Sequence, residues 1–174
     1  MLIEPVSKER DHILGRPDAP VTLVEYGDYQ CPYCGAAHPI VKAALERMGD
    51  RVRFVFRHFP ITRSHPRAEQ AAEAAEAAAA QGRFWPMHDL LFENQQRLGD
   101  ADLRDHAERL GLDVAAFERE LAEHTHAERV REDFASGLDS GVNGTPTFFI
   151  NGTRHDGSYE LRSLVAALQD AAAS

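Results

Sequence analysis

Two cysteines three positions apart, Cys31-Pro32-Tyr33-Cys34, stand where a strand-like run ends and a helical period begins. No other feature restricts the fold as much. Ahead of them, Val21-Thr22-Leu23-Val24-Glu25-Tyr26 is dominated by β-branched and apolar residues and is followed by Gly27-Asp28, the composition of a buried strand. Behind them, Ala36, Ile40, Val41, Ala44, Leu45 and Met48 recur at three- and four-residue steps, and Gly49-Asp50 closes the pattern. This predicts a helix from about Cys31. Pro32 suits its first turn, where a missing N–H costs nothing, and Pro39 is expected to kink it. Val52-Arg53-Phe54-Val55-Phe56-Arg57 repeats the strand pattern. The result is a βαβ unit of about 35 residues, which pairs its strands in parallel.

The middle of the chain reads as helix throughout. An Ala- and Glu-rich run from His65 to Gln81 stops at Gly82, and Phe84 to Asn94 forms a short aromatic helix. Asp100 is expected to cap a helix reaching Leu110-Gly111, and Asp113 another through Phe117 and Leu121. A longer helix follows from about Thr125 to Leu138. The alanines are read as close helix packing rather than low complexity. Strand signal returns at Thr147-Phe148-Phe149-Ile150, where Asn151-Gly152 and Thr153-Arg154 complete a hairpin. Ser158 is expected to cap the last helix, with Leu161, Leu164, Val165 and Leu168 on one stripe.

Composition narrows the function. A hydrophobic fraction of 43% beside 27% charged residues fits a globular chain, and 174 residues fit one domain with a core of its own. The formal net charge of −9, with no clustered Lys or Arg, argues against a nucleic-acid partner. No run approaches the roughly 20 apolar residues that span a bilayer, so no membrane partner is expected. Charges interrupt the first ten residues before any secretory signal could form. The cytoplasm is therefore the expected location, or a periplasmic or extracellular one if a signal has been removed.

With two cysteines so close in sequence, a disulfide between them would close a tiny ring, which suits chemistry better than stapling. At a helix start, unpaired N–H groups and the dipole favour a thiolate on the first cysteine. The second lies one turn below and can displace a mixed disulfide from the first. Cys31 is then the exposed attacking thiol and Cys34 the buried resolving one. Half a zinc knuckle has the same spacing, but zinc needs two further ligands. His124 and His126 could supply nitrogens, though nothing places them near Cys31. A merely packed pair is the third reading.

A second element lies far along the chain, at Gly144-Thr145-Pro146-Thr147. Together with Gly15-Arg16-Pro17-Asp18-Ala19-Pro20-Val21-Thr22-Leu23-Val24-Glu25-Tyr26, Cys31-Pro32-Tyr33-Cys34, Phe56-Arg57-His58-Phe59-Pro60, Phe84-Trp85-Pro86-Met87-His88-Asp89-Leu90-Leu91-Phe92 and Phe148-Phe149-Ile150-Asn151-Gly152, it resembles the DsbA-like branch of the thioredoxin superfamily. The resemblance runs from about His12 onward. It implies an α/β thioredoxin fold, βαβ…ββα, with a helical insertion between the second and third core strands. The core is expected at 10–61 and 140–174, and the insertion at 62–139. The resemblance also implies a cis Thr145-Pro146 bond facing the cysteines, and a buried acid at Glu25 that moves protons to or from Cys34. Pro32, Tyr33, Thr145 and Pro146 are expected to touch substrate.

The implied reaction is dithiol–disulfide exchange with cysteine-containing protein substrates and a separate redox partner, by a monomer that needs no cofactor or metal. One departure matters. Strongly oxidising members carry His between the cysteines, and this chain carries Tyr33, which cannot help hold a thiolate by charge. Two further readings stay open: a redox-silent, chaperone-like peptide binder, and a glutathione-using isomerase or transferase of the same fold. His38 is expected to cap solvent above the first helix. Phe84, Trp85 and Phe92 are expected in the core.

Overall fold

The computed structural model describes all 174 residues. Its sheet has five strands: β1 (Ile13–Leu14), β2 (Val21–Gly27), β3 (Val52–His58), β4 (Thr147–Ile150) and β5 (Thr153–His155). Their spatial order is β1-β3-β2-β4-β5. The central pair β2 and β3 is parallel, and the other three pairings are antiparallel. Seven helices surround the sheet: α1 (Pro32–Met48), α2 (Ala68–Ala79), α3 (Phe84–Glu93), α4 (Asp100–Arg109), α5 (Val114–Ala122), α6 (Ala127–Asp139) and α7 (Leu161–Ala173). This is the thioredoxin-like α/β fold, and α2 to α6 all fall between β3 and β4 in the chain.

Strand alternation decides what each face holds. Leu23 on β2 and Phe54 and Phe56 on β3 join the larger core, with Cys34, Ala37, Val41 and Ala44 of α1 and Leu164 and Leu168 of α7. Val24, Tyr26, Val55 and Phe149 point the other way, into a smaller cluster against Phe59 and Val142. By that alternation Glu25, two residues from Leu23, faces the side that carries the cysteines. Its backbone neighbours are Phe56 on β3 and Phe148 on β4.

Arg57 takes the opposite face. Its guanidinium, fully buried, donates from Nε and Nη2 to both carboxylate oxygens of Asp11, at 2.9 and 3.0 Å. Nη1 also donates to the Glu4 carbonyl and the Tyr26 hydroxyl, both at 2.9 Å. This ties the N-terminal segment to the sheet. Such a pair keeps its charges only because its donors and acceptors are satisfied.

Several local expectations shift. The two-residue strand β1 is too short to show alternation, and the sequence reading missed it. Within α1 the buried residues are Cys34, Ala37, His38, Val41, Ala44 and Met48, while Ala36 is exposed. Pro39 lies inside this helix, at an exposed position. Asp100 is the first residue of α4 rather than its cap, which is Gly99; the Gly99 N–H donates instead to Asp102. Ser158 does not cap α7 either. Glu160 does, and the Ser158 hydroxyl accepts its N–H at 3.1 Å. Asp113 caps α5 as expected, accepting from Ala116 N–H at 3.0 Å.

Candidate active site

Cys31 is the N-cap of α1, with extended backbone (φ −68°, ψ 122°), and Pro32 opens the helix. Cys34 lies one turn in and is fully buried. Both stand as thiols. Across from them, the Thr145–Pro146 peptide bond is cis, as the motif implies. The Cys31 thiol donates to the Thr145 carbonyl at 3.6 Å. The structure thus brings Cys31, Cys34, Thr145 and Pro146 together, with Pro32 and Tyr33 on the rim; Tyr33 is 68% exposed.

The expectation that Cys31 is exposed fails. Cys31 is 3% exposed, because the loop carrying Thr145, distant in sequence, lies against it. The two thiols differ through their electrostatics instead. Hydrogen bonding from the Cys34 thiol, the Thr145 side chain and the N–H groups of Cys34 and Tyr33 hold the Cys31 thiol down to about 5, against the opposing effect of burial. Those N–H groups belong to the unpaired first turn of a helix, whose dipole favours an anion. Burial pushes the Cys34 thiol far up, and its bond to Cys31 and the nearby charge of Glu25 push the same way.

Glu25 is 2% exposed, so its carboxyl is not a strand-end group in water. Burial, and secondarily the Cys31 charge, raise it to about 8. Its Oε1 is buried with no hydrogen-bond partner. A carboxyl in that condition holds its proton at neutral pH.

Three residues that position this site escaped the sequence reading. Asp28, read only as a turn residue, is 1% exposed. Its Oδ1 accepts the N–H groups of Gln30 (2.8 Å) and Cys31 (3.1 Å), and its Oδ2 those of Ile61 (2.9 Å) and His65 Nδ1 (2.8 Å). An Asx turn directly ahead of the cysteine was the available signal. Gln95, on the far side, donates from Nε2 to the carbonyls of Tyr29 (3.0 Å) and Cys31 (2.8 Å). Gly35 lets it in: a Cβ there would come within 2.1 Å of Gln95 Oε1. No local pattern announces that contact.

His38 also departs from expectation. It is 7% exposed and packs against Phe92 and His88 rather than capping solvent, because α3 lies against that flank of α1. Burial pushes its imidazole below the usual value, and that of His88 well below. Phe84 and Phe92 are buried, and Trp85 packs partly buried against the same core. His124 and His126 meet Glu73 and Glu120 in the helical segment, not the cysteines.

The same fold occurs in solved structures. A crystal structure of a thioredoxin-like oxidoreductase from Silicibacter pomeroyi superposes with a TM-score of 0.83 at 29% identity, covering 95% of this chain and 94% of that one. Oxidised BdbD from Bacillus subtilis superposes at 0.84 and 23% identity, covering 97% and 96%, a likeness of fold. Among curated sequences, Na(+)/H(+) antiporter NhaA 1 of Salinispora arenicola is 52% identical over 170 residues, covering 98% of this chain and 26% of its own length. The chain therefore spans about a quarter of such relatives, and no helix in it is long and apolar enough to cross a membrane. The family described as thioredoxin matches residues 7–170. On that match, together with the sheet order and the paired cysteines beneath the Thr145–Pro146 loop, the chain belongs to the thioredoxin family, with a DsbA-like arrangement of its helices.

Proposed function

We propose that the protein is a thiol–disulfide oxidoreductase acting on cysteines of protein substrates. The observation that carries this is the contrast between two adjacent thiols, Cys31 held down to about 5 and Cys34 pushed far up. Cys31 thiolate attacks a substrate disulfide, or a substrate thiolate attacks the Cys31–Cys34 disulfide; either route passes through a mixed disulfide on Cys31. In the reducing direction Cys34, once deprotonated, attacks the Cys31 sulfur and releases the substrate thiolate. Two electrons and two protons then account for the exchange. No metal or cofactor takes part in these steps.

Pro32, Tyr33, Thr145 and Pro146 surround the cysteines, and the Thr145 backbone is where an extended substrate adds a short strand beside Cys31. The names of the structural neighbours support the oxidoreductase reading. A stabilised thiolate also favours the dithiol form, and so a couple that tends to oxidise its substrates. This replaces by hydrogen bonds what Tyr33 cannot supply by charge. A redox-silent peptide binder has no use for such a thiolate.

The test is titration of the reduced protein. Absorbance near 240 nm is expected to report one thiolate with a midpoint near pH 5, lost in Cys31→Ser. At pH 7 an alkylating reagent should modify Cys31 well before Cys34. A midpoint at the ordinary value of about 8.5, or faster modification of Cys34, contradicts the assignment.

A further inference from the structure

Outside the cysteine pair, helices α1 and α3 bring together a second cluster of chemically capable side chains. His38 and Lys42 lie one turn apart on α1; His88, Asp89 and Glu93 lie on α3. His38 is 7% and His88 3% exposed, with ring centroids 5.4 Å apart. One ligand atom from each of His38, His88 and Asp89 comes within 4.8 Å of the others. His38 Nε2 is buried and has no hydrogen-bond partner. It stands 3.4 Å from Asp89 Oδ1 and 3.9 Å from Glu93 Oε1. Leaving such a nitrogen unsatisfied in a core is unfavourable, so its retention needs a reason.

We propose that His38, His88 and Asp89 bind one divalent transition-metal ion of the zinc class, with Glu93 close enough to complete the set. Two imidazoles and a carboxylate suit a borderline cation, whereas calcium and magnesium prefer oxygen alone. The surroundings have the layout of a supported metal site. The Tyr29 hydroxyl lies 2.9 Å from His88 Nδ1, which orients the ring and leaves Nε2 for the ion. Fixing the second ring nitrogen in this way is how metal-bound histidines are held. Phe92 packs on His38 from the inner side, ring centroids 5.1 Å apart. On the outer side Asp89 and Glu93 are 39% and 52% exposed, which leaves a way in for an ion.

Lys42 is the competitor. Its Nζ lies 3.4 Å from Asp89 Oδ2 and 3.8 Å from Glu93 Oε1. The side chain is half-exposed, so it can swing outward as a metal ion enters. The site stands on its own residues and does not depend on how the thiols react. It does adjoin them: Tyr29 is two residues before Cys31, and His38 four after Cys34.

The test uses protein carrying both Cys31→Ser and Cys34→Ser, so that no thiolate can bind the probe, titrated calorimetrically with Zn2+ alone. One ion per chain is expected. Affinity should fall at least about tenfold in Asp89→Asn and in His38→Gln, in line with the losses typical of disturbed metal sites. It should rise in Lys42→Met, and excess Ca2+ should not displace the zinc. Asp89 is at the surface, so its variant keeps the core intact even if the His38 variant is poorly folded. No one-to-one binding, unchanged affinity in Asp89→Asn, or equal displacement by Ca2+ would overturn the proposal.

Discussion

A Cys34→Ser protein is expected to accumulate mixed disulfides with its substrates, while Cys31→Ser forms none and loses essentially all turnover. The asymmetry comes from position. Cys31 caps α1 among unpaired N–H groups and lies against the Thr145–Pro146 loop, whereas Cys34 sits one turn deeper and fully buried. Only the thiol below its ordinary value is a thiolate at neutral pH, so only Cys31 can make the first bond. With Ser at position 34 nothing adjacent breaks that bond, and the adduct waits for an outside thiol. Mass spectrometry of adducts isolated under acid quench checks the result and also identifies what is attached. Protein adducts on Cys31 support protein substrates. Adducts of glutathione alone favour the glutathione-using reading, and adducts formed by Cys31→Ser through Cys34 contradict the roles outright.

Glu25→Gln is expected to act on both the chemistry and the stability of the fold. Cys34 must lose a proton before it attacks, yet burial pushes its thiol far up. The Glu25 carboxyl lies on the same side of the sheet, its charge acts on Cys34, and burial and the Cys31 charge raise it to about 8. A group so poised can take and return a proton near neutral pH, and general-base assistance of this kind is worth about a hundredfold or more. Release of the mixed disulfide should therefore slow by about that factor, while its formation keeps the wild-type rate. Stopped-flow measurement of the two half-reactions separates them; equal rates in both would leave Glu25 with no part in proton transfer.

The stability effect has a definite sign. Folding raises the Glu25 carboxyl from 4.5 to about 8, so the folded state binds this proton more tightly than the unfolded chain. The stabilisation is complete below about pH 4.5 and disappears as pH rises to 8. The Gln variant has no such proton to lose. Its stability relative to wild type should grow by roughly 3 kcal/mol between pH 4 and pH 7. Urea unfolding of the reduced proteins at the two pH values measures the difference. A constant difference would show that the carboxyl is not raised by burial.

What could be read from the sequence was local, and what could not was tertiary. The strand before the cysteines, the helix behind them and the parallel β2–β3 pair all follow from residue periodicity over short windows. Thr145-Pro146 carries information only through its resemblance to a known loop, yet that was enough to place it opposite Cys31. The burial of Cys31 escaped because the covering loop is 114 residues away in the chain. Gln95 reaches the carbonyl of Cys31 across 64 residues, through a gap that Gly35 leaves open. The burial of His38 is not legible locally, because a lone histidine on a helix gives no sign that another helix will cover it. Aspartate and serine near a helix start mark the region but not the residue, so the caps of α4 and α7 moved by one or two positions.

Whether Cys31 and Cys34 form a working redox couple is measured by equilibrating the protein with a graded series of reduced and oxidised glutathione, followed by acid trapping and mass analysis. One reversible two-electron transition between the dithiol and a Cys31–Cys34 disulfide is expected, with the midpoint moving as the proton count of the dithiol changes through pH 5. Cysteines that stay reduced across the whole series, or a disulfide that once formed cannot be reduced by glutathione or a stronger dithiol, would contradict it.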